Sequence, residues 1–295
     1  MYDQNDQTSN SDDEQPLPGE KVQKVLARTG LASRRTIEEW ILAGRVQING
    51  ASAHIGDRLV SADKVVVDGN SVEFELADES GRRMIMYNKP EGEVCTRTDP
   101  EGRPTVFEHL PRLEGERWVV VGRLDINSTG LLLFTTDGDL ANSLMHPSSQ
   151  VSREYAVRVF GEVTEEILNK LKEGVFLDDG MAKFHSIVDA GGEGVNHWYH
   201  VTIKEGKKRE VRRMWETQGL QVSRLIRIRF GEITLPSNLS YGKWVELEKP
   251  DIDLLADSVG VKLKKRTGLF GRQKVRAERQ NEKVLRRGYL RRRRG

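Results

Sequence analysis

Residues 121–134 read VGRLDINSTGLLLF, and this stretch determines how the larger part of the chain is expected to fold. One strand ends near Gly122, a loop of small and turn-forming residues carries Asp125, and a very apolar strand follows at 131–134. A loop held between two rigid strands presents its carboxylate at the edge of a sheet. By spacing alone, however, Asp125 is more often a turn or capping residue than a catalytic one.

Strand and helix patterns surround this stretch in a mixed order. The first strand pattern begins at Met84 and ends before Pro90. Further strands are expected at 118–122, 131–135, 153–159, 197–203, 225–230 and 244–247, and helices at 139–144, 165–172 and 210–217. Because strands and helices do not alternate regularly, the pattern predicts an α+β domain over residues 83–257 with a mixed, mainly antiparallel β-sheet.

Residues 20–80 form a pattern of their own and predict a small separate domain. The expected elements are helices at 21–29 and 34–43 and strands at 46–48 and 64–67. Ser33 has the side chain and the position of an N-cap for the second helix. Asn49 and Gly50 favour a tight hairpin turn after the first strand. Two short helices and a small β-element are therefore expected here.

Charge is distributed unevenly along a chain whose formal net charge is only +2. Residues 1–19 are acidic and polar, which predicts a disordered leader. From Lys262 to Gly295, fifteen Lys or Arg residues stand against two Glu, a local balance of +13, so residues 258–295 are expected to form a basic, disordered tail. Contact with RNA and a purely solubilising role both agree with this charge, and the two are compatible.

Composition excludes several classes of protein. The sequence contains no run of eighteen apolar residues, so a membrane span is not expected. Residues 1–19 lack the apolar core of a secretory signal. Cys95 is the only cysteine, which excludes an intramolecular disulfide and a cysteine metal cluster. The six histidines show no zinc-site spacing, and His197 and His200 on one strand point to opposite faces. We expect a cytoplasmic protein without a metal site.

The residues around Asp125 in the sequence strengthen its case as a catalytic group. Arg123 lies two residues before it, Arg153 and Tyr155 share a later strand, and a basic cluster occupies 207–213. Arginines keep a carboxylate ionised and bind phosphates, and a strand tyrosine offers a flat surface to a base. Two simpler interpretations stay open: a half-buried strand tyrosine, and the exposed face of a helix for the basic cluster.

Four segments resemble a known family. GRLDINSTGLLLFTTDGDLANSLMHPS, SREYAVRV and EGKKREVRRMWETQGLQVSRLIRIRFG resemble the motifs of the small-subunit-A-type family of ribosomal pseudouridine synthases. KVQKVLARTGLASRRTIEEWILAGRVQING resembles the S4 RNA-binding module that precedes the catalytic domain in that family. The resemblance covers about residues 20–255. It implies a small S4-like αααβ-type RNA-binding domain followed by a pseudouridine synthase catalytic domain.

This resemblance implies a role for each motif residue. Asp125 would be the essential catalytic residue, Tyr155 would pack against the base, and Arg212 would pair with Asp125. Arg123 would enter the space vacated by the flipped uridine. The arginines expected to bind substrate RNA are Arg123, Arg153, Arg209, Arg213, Arg34 and Arg35. Because Arg209 and Arg213 flank Arg212, either of them remains an alternative for its role.

The implied reaction is the conversion of a uridine to pseudouridine, and it needs no cofactor. The uracil N1–C1′ bond breaks, the base turns in the pocket, and C5 joins C1′. Asp125 would either attack C1′ or remove the C2′ proton, and the sequence does not choose between these roles. A largely dry pocket would retain the free base for rejoining.

The resemblance also implies the partner of the protein. CTRTDPEGRPTVFEHLP and GGEGVNHWYHVTIKEGKKREVRRMWE resemble most the family members that modify large-subunit ribosomal RNA. The expected partner is that RNA or its precursor particle, bound by a monomer. The alternatives are a related synthase for another ribosomal uridine, a non-catalytic ribosome assembly factor, and a helix-turn-helix DNA regulator built on residues 21–50.

Overall fold

The structure is a computed structural model that describes residues 19–74, 76 and 82–261. The chain divides between Ser80 and Gly81 into two compact units. The predicted acidic leader lies outside the described residues except at its last position, and the predicted basic tail lies outside them from residue 262 onward. In the described part of the chain, no helix has the length and apolar character that crossing a membrane requires.

The first unit packs two helices against short strands. Its elements are β1 (Glu20–Lys21), α1 (Val22–Arg28), α2 (Arg34–Leu42), β2 (Val46–Ile48), β3 (Ala51–Ser52), β4 (Arg58–Leu59), β5 (Val65–Val67) and β6 (Asn70–Val72). The sheet order is β3-β2-β5-β6, and β1 pairs separately with β4. The described part of this unit holds two helices, so the third helix of an αααβ-type domain is not found there.

Local chemistry in this unit agrees with the sequence prediction. The Ser33 hydroxyl accepts a hydrogen bond from the Thr36 amide at 3.1 Å, as an N-cap does. Asn49 and Gly50 have φ angles of 52° and 88°, the left-handed pair that a tight hairpin turn requires. The apolar faces of the helices and strands meet in one small core, which includes Leu26.

The second unit contains a nine-stranded sheet and a separate two-stranded hairpin. Its strands are β7 (Met84–Lys89), β8 (Val119–Val121), β9 (Thr129–Thr135), β10 (Arg153–Phe160), β11 (Val175–Leu177), β12 (Gly180–Ala182), β13 (Ser186–Glu193), β14 (Asn196–Ile203), β15 (Gln221–Phe230), β16 (Ile233–Thr234) and β17 (Trp244–Glu246). Its helices are α3 (Gly138–Met145), α4 (Glu165–Glu173), α5 (Glu210–Glu216) and α6 (Lys249–Ser258), with a 3₁₀ turn at Pro147–Ser149.

The strand order explains how the site is assembled. The sheet runs β13-β14-β10-β15-β9-β7-β17, with β8 beside β9 and β16 beside β15, while β11 and β12 form a separate hairpin. Every described pair in the large sheet is antiparallel except β9 with β15. The prediction of a mixed, mainly antiparallel sheet is therefore confirmed. β13, α6 and the β11–β12 hairpin were not predicted.

Alternate residues of the strands feed two cores on opposite faces of this sheet. One face carries Tyr155 and Leu225, which pack with Trp215 of α5. The other face carries Leu131 of β9, which packs with apolar residues of α3 and α6, including Leu255. Burial on both faces explains why β9 reads as a continuous apolar run rather than as an alternating strand.

The parallel junction between β9 and β15 requires a glycine. Gly130 pairs with Arg227 and has a φ of +101°, a conformation that L side chains rarely adopt. A Cβ built on Gly130 would lie 2.8 Å from the Arg227 amide nitrogen and closer still to the Arg227 carbonyl oxygen. Both atoms belong to backbone, so the collision cannot be relieved by a side-chain rotation.

We predict that Gly130→Ala destabilises the fold by about 3 kcal/mol or more, because it adds backbone overlap to conformational strain. Gly180→Ala is the matched control. Gly180 has a φ of +107°, and its added Cβ would meet nothing within 4 Å, so only the strain of about 1–3 kcal/mol applies. Urea unfolding measures both. Equal losses in the two variants would show that the junction tolerates a side chain.

Candidate active site

The acid singled out from the sequence lies on the loop between β8 and β9. Asp125 is half-buried there, and its carbonyl accepts a hydrogen bond from the Ser128 amide at 3.0 Å, which closes a tight turn. The preceding residue, Leu124, is buried and is held on both backbone groups by Cys95. Its amide donates to the Cys95 Sγ at 3.4 Å, and the thiol donates to its carbonyl at 3.3 Å. The loop is therefore anchored just before Asp125 and just after it.

Two buried cations bind the far side of this loop. Lys89 is fully buried at the end of β7, and its ammonium donates to the Ser128 carbonyl at 2.9 Å. Arg212 of α5 is 5% exposed and donates to the Asn127 carbonyl at 2.9 Å and to the Val222 carbonyl at 2.8 Å. Charge-assisted hydrogen bonds of this kind are stronger than neutral ones. They hold two successive carbonyls of the Asp125 loop in place.

A third buried cation continues the series. Arg227 of β15 is 2% exposed, and its Nε donates to the Leu131 carbonyl at 2.7 Å. Its guanidinium also lies over the Phe230 ring at 5.5 Å. Arg227 pairs across the sheet with Tyr155 of β10. The same arginine thus contacts the strand that follows the Asp125 loop and lies beside the tyrosine predicted for the site.

These cations share the surroundings of Asp125 without forming an ion pair with it. Burial lowers the pKa of Lys89, and Cys95, Glu93 and Asp125 act in the opposite direction. Burial and then Arg209 lower the pKa of Arg212, whereas Asp125 raises it. Within the described residues, however, no basic group lies within 4.0 Å of the Asp125 carboxylate. The expected Arg212–Asp125 ion pair is therefore not formed, because Arg212 donates to backbone carbonyls instead.

Tyr155 lies on the same face of the sheet as the hydrophobic core into which Leu124 of the Asp125 loop packs. It is 8% exposed and lies in one buried cluster with Leu124 and Leu225. Its backbone position on β10 is flanked by Val201 and Arg227 on the neighbouring strands. The structure brings Asp125, Tyr155 and Arg212 into one neighbourhood by way of Leu124 and Arg227.

Arg153 requires a correction. It was expected to bind substrate, but it is 8% exposed, and its Nη1 donates to the carbonyls of Val151, Lys204 and Glu205 at 3.0–3.1 Å. Its guanidinium also lies over Phe230 at 5.2 Å. Three carbonyls and an aromatic ring occupy this buried group, so Arg153 fixes backbone segments rather than binding a phosphate.

The other predicted arginines lie at the surface in different settings. Arg209 pairs with Glu216 at 3.2 Å, and Arg213 forms a two-point contact with Asp179 at 2.9 Å. Arg123 is exposed on the Asp125 loop. In the first unit, Arg34 and Arg35 are exposed at the start of α2. The exposed arginines keep their charge accessible, whereas Arg209 and Arg213 are already engaged with carboxylates.

Lys89 and Arg227 were missed as site residues by the sequence analysis. Both are charged residues within strands that are otherwise apolar at inward-facing positions: MIMYNK for β7 and QVSRLIRIRF for β15. A cation at such a position is the sequence signal that could have identified them, because a buried charge is costly unless it is hydrogen-bonded.

A buried acid lies next to Arg209 at the start of α5. Glu210 is 3% exposed, and its carboxylate accepts a hydrogen bond from the Lys207 amide at 3.1 Å. Burial and then the neighbouring Glu205 raise the pKa of Glu210 to about 7. The folded protein therefore binds a proton at Glu210 more tightly than the unfolded chain does.

The family comparison matches both units. The description "RNA pseudouridylate synthase" covers residues 83–217, and "S4 domain" covers residues 20–66. A solved structure described as a pseudouridylate synthase aligns with 80% of this chain and 100% of its own, at 25% identity and a TM-score of 0.56. Together with curated relatives that are 55–58% identical over 81–91% of this chain, these findings establish that the chain belongs to the RNA pseudouridylate synthase family.

Three curated relatives that are similar to this chain share one name. The chain is 58% identical over 269 residues to ribosomal large subunit pseudouridine synthase B of Pseudomonas aeruginosa, covering 91% of this chain and 70% of the relative. It is 55% identical to the protein of the same name from Haemophilus influenzae, covering 88% and 73%. For the Escherichia coli protein of that name the identity is 56%, and the coverage is 81% and 83%.

The raised pKa of Glu210 predicts a pH dependence of stability. The protonated form stabilises the fold below about pH 4.5, and this contribution is lost as the pH rises through about 7. Glu210→Gln keeps the side chain neutral. The stability of the variant relative to the wild type should therefore rise by up to about 3 kcal/mol between these pH values. Urea unfolding across the pH range measures it, with exposed Glu216→Gln as the control. A constant difference would contradict the assignment.

The position of Arg227 predicts an effect on the family's reaction. Arg227→Met keeps a flexible unbranched side chain but removes the charge and the hydrogen bond to Leu131, so the strand that follows the Asp125 loop loses one support. We expect the rate of pseudouridine formation to fall about a hundredfold, because small displacements of reacting groups cause losses of this size. RNA affinity should change little. Arg227→Lys keeps the charge and should recover part of the rate. A full rate in the Met variant would exclude this positioning effect.

Proposed function

We propose that this protein converts a specific uridine of large-subunit ribosomal RNA to pseudouridine and that Asp125 is its catalytic carboxylate. The observation that carries the proposal is the placement of Asp125 on a loop whose backbone is held by Lys89 and Arg212, with Arg227 holding the strand that follows it. Membership of the RNA pseudouridylate synthase family supports the reaction, and the large-subunit name shared by its relatives supports the substrate.

The chemistry follows from the groups around the loop. When the uracil N1–C1′ bond breaks, the base takes the bonding electrons and becomes negative. Positive charge that is already in place stabilises such a developing anion without reorganisation. Lys89, Arg212 and Arg227 supply that charge from buried positions. The detached base is thereby retained until C5 joins C1′ and the C5 proton is lost.

The remaining residues divide the work of binding. Asp125 acts on the ribose, either at C1′ or at the C2′ proton. Tyr155 packs against the base and assists removal of the C5 proton. Arg123, exposed on the loop, occupies the place of the flipped nucleotide. No step in this scheme calls for a cofactor or a metal ion.

The first unit would supply binding rather than chemistry. Its residues 20–66 match the S4 domain, and Arg34 and Arg35 are exposed at the start of α2. Exposed arginines at a helix start are suited to phosphate oxygens. We place this activity in the cytoplasm, with a monomer acting on large-subunit ribosomal RNA or its precursor particle.

We predict that Asp125→Asn lowers pseudouridine formation by at least about a thousandfold, because the amide neither attacks the sugar nor accepts a proton from it. RNA affinity and urea stability should remain close to those of the wild type. The measurement is chemical mapping of pseudouridine in ribosomal RNA from cells that carry each variant as the sole copy.

The matched control is Asp178→Asn, which changes an exposed acid of the same domain. It should leave every pseudouridine in place. Loss of one large-subunit pseudouridine in the Asp125 variant alone supports the proposal. Retention of all pseudouridines in that variant would instead favour a non-catalytic assembly factor or a different catalytic residue.

A further inference from the structure

The described elements of the second unit leave part of the sheet face opposite Tyr155 uncovered. α3 and α6 pack on this face only along β9 and its neighbours, through residues such as Leu131 and Leu133. Beyond them, β15, β10 and β14 lie side by side with their outward residues in register. The three rows are Asn196–Phe160–Gln221, Trp198–Arg158–Arg224 and His200–Ala156–Ile226. We refer to these nine residues as the three-strand face.

The middle row concentrates positive charge. Arg158 and Arg224 are direct cross-strand partners, and two like charges in such positions destabilise a sheet. No carboxylate among the described residues lies within 4.0 Å of either guanidinium. Glu154, which lies two rows away on the same face of β10, is engaged with Arg229 at 2.7 Å and with His200 at 3.6 Å. The two arginines therefore repel each other, and no acid in the described part of the chain forms an ion pair with either of them.

The geometry of Arg158 is fixed although its charge is not neutralised. Its Nε donates to the Ser223 hydroxyl at 3.0 Å, and that hydroxyl donates back to the Arg158 carbonyl at 3.0 Å. Ser223 is the extra residue of a bulge in β15. Bulges often redirect a side chain at functional positions. A held but unpaired guanidinium on a sheet surface is prepared for an external anion.

Flat rings lie in the rows of this surface. Phe160 is 49% exposed between two amide side chains, and Trp198 and His200 are half-buried. Aromatic rings that alternate with cations on a sheet are the arrangement by which proteins bind unpaired RNA, since the rings stack on bases and the cations bind phosphates. An acidic peptide would satisfy the arginines but would leave the exposed phenyl ring without a partner. The combination favours RNA.

We propose that the three-strand face is a second RNA-binding surface, separate from the catalytic pocket, which holds an unpaired segment of the ribosomal RNA substrate. Arg158 and Arg224 bind its phosphates, and Phe160 stacks on one of its bases. This inference rests on the proposed function for the identity of the RNA. Because Tyr155 and Arg158 point to opposite faces of β10, the surface contributes affinity and substrate choice rather than chemistry.

The test compares two RNAs on the full-length protein. One is a short hairpin around the target uridine, and the other is a long ribosomal RNA fragment with unpaired flanks. Arg158→Ala/Arg224→Ala should weaken binding to the long RNA only, and the slope of log affinity against log salt should fall by about 1.4, for two phosphates at about 0.7 each. Phe160→Ala should weaken it about tenfold without changing the slope. Turnover of the hairpin should remain unchanged, which also shows that the variants fold.

The controls separate this surface from general charge. Lys170→Ala/Lys172→Ala removes two exposed cations from α4 and should leave the slope unchanged. Arg158→Lys/Arg224→Lys should preserve it. The proposal is overturned if the arginine-to-alanine pair binds the long RNA like the wild type, or if the α4 pair loses as much affinity for that RNA. It is also overturned if the arginine-to-alanine pair loses affinity for a ribosomal protein but not for the long RNA. Failure of the proposed function is a separate result: the wild type would then form no pseudouridine in either RNA.

Discussion

The second unit depends on one constraint: its buried cations must be hydrogen-bonded, and backbone carbonyls of the Asp125 loop and of β9 directly after it supply acceptors. Moving a charge out of water is costly unless hydrogen bonds replace the lost hydration. Lys89, Arg212 and Arg227 find these bonds on Ser128, Asn127 and Leu131. A shift of the loop would cost Lys89 and Arg212 one of their two carbonyl acceptors each. These bonds oppose displacement of the loop, and none of them uses the Asp125 carboxylate as an ion-pair partner.

The sheet topology makes this arrangement possible. β9 and β15 form the parallel pair of an otherwise antiparallel sheet, and Gly130 lets their backbones approach at the point where the loop ends. β15 therefore has two functions at Arg227: its backbone pairs with Gly130 near the end of the loop, and its side chain donates to the carbonyl of Leu131 in β9. Since β10 pairs with the other edge of β15, Tyr155 is set at a fixed separation from that loop.

The sequence predicts best where local chemistry decides the structure. The Ser33 cap, the Asn49–Gly50 turn and the apolar β9 were all evident, and the family motifs placed Asp125, Tyr155 and Arg212 together. Partners across the fold were not evident. Strand alternation predicts which face Arg153 occupies, but it does not predict that its guanidinium donates to three backbone carbonyls there. β13 was missed because SIVDAGGE is an exposed edge with little apolar alternation. α6 was missed although Pro250 in its first turn is a helix-start signal.

The basic cluster around α5 shows how folding separates residues that the sequence presents as equivalent. Arg209 is the N-cap of α5 and Arg213 lies one turn into the helix, and both pair with surface carboxylates, Arg209 with Glu216 and Arg213 with Asp179. Arg212 is turned inward by the same geometry and reaches the Asp125 loop. Because its two neighbours are held by surface carboxylates, neither is available as its substitute. Of the three arginines that the sequence presents as alternatives, Arg212 is therefore the buried one, and its hydrogen bonds go to the backbone carbonyls of Asn127 and Val222 rather than to the Asp125 carboxylate.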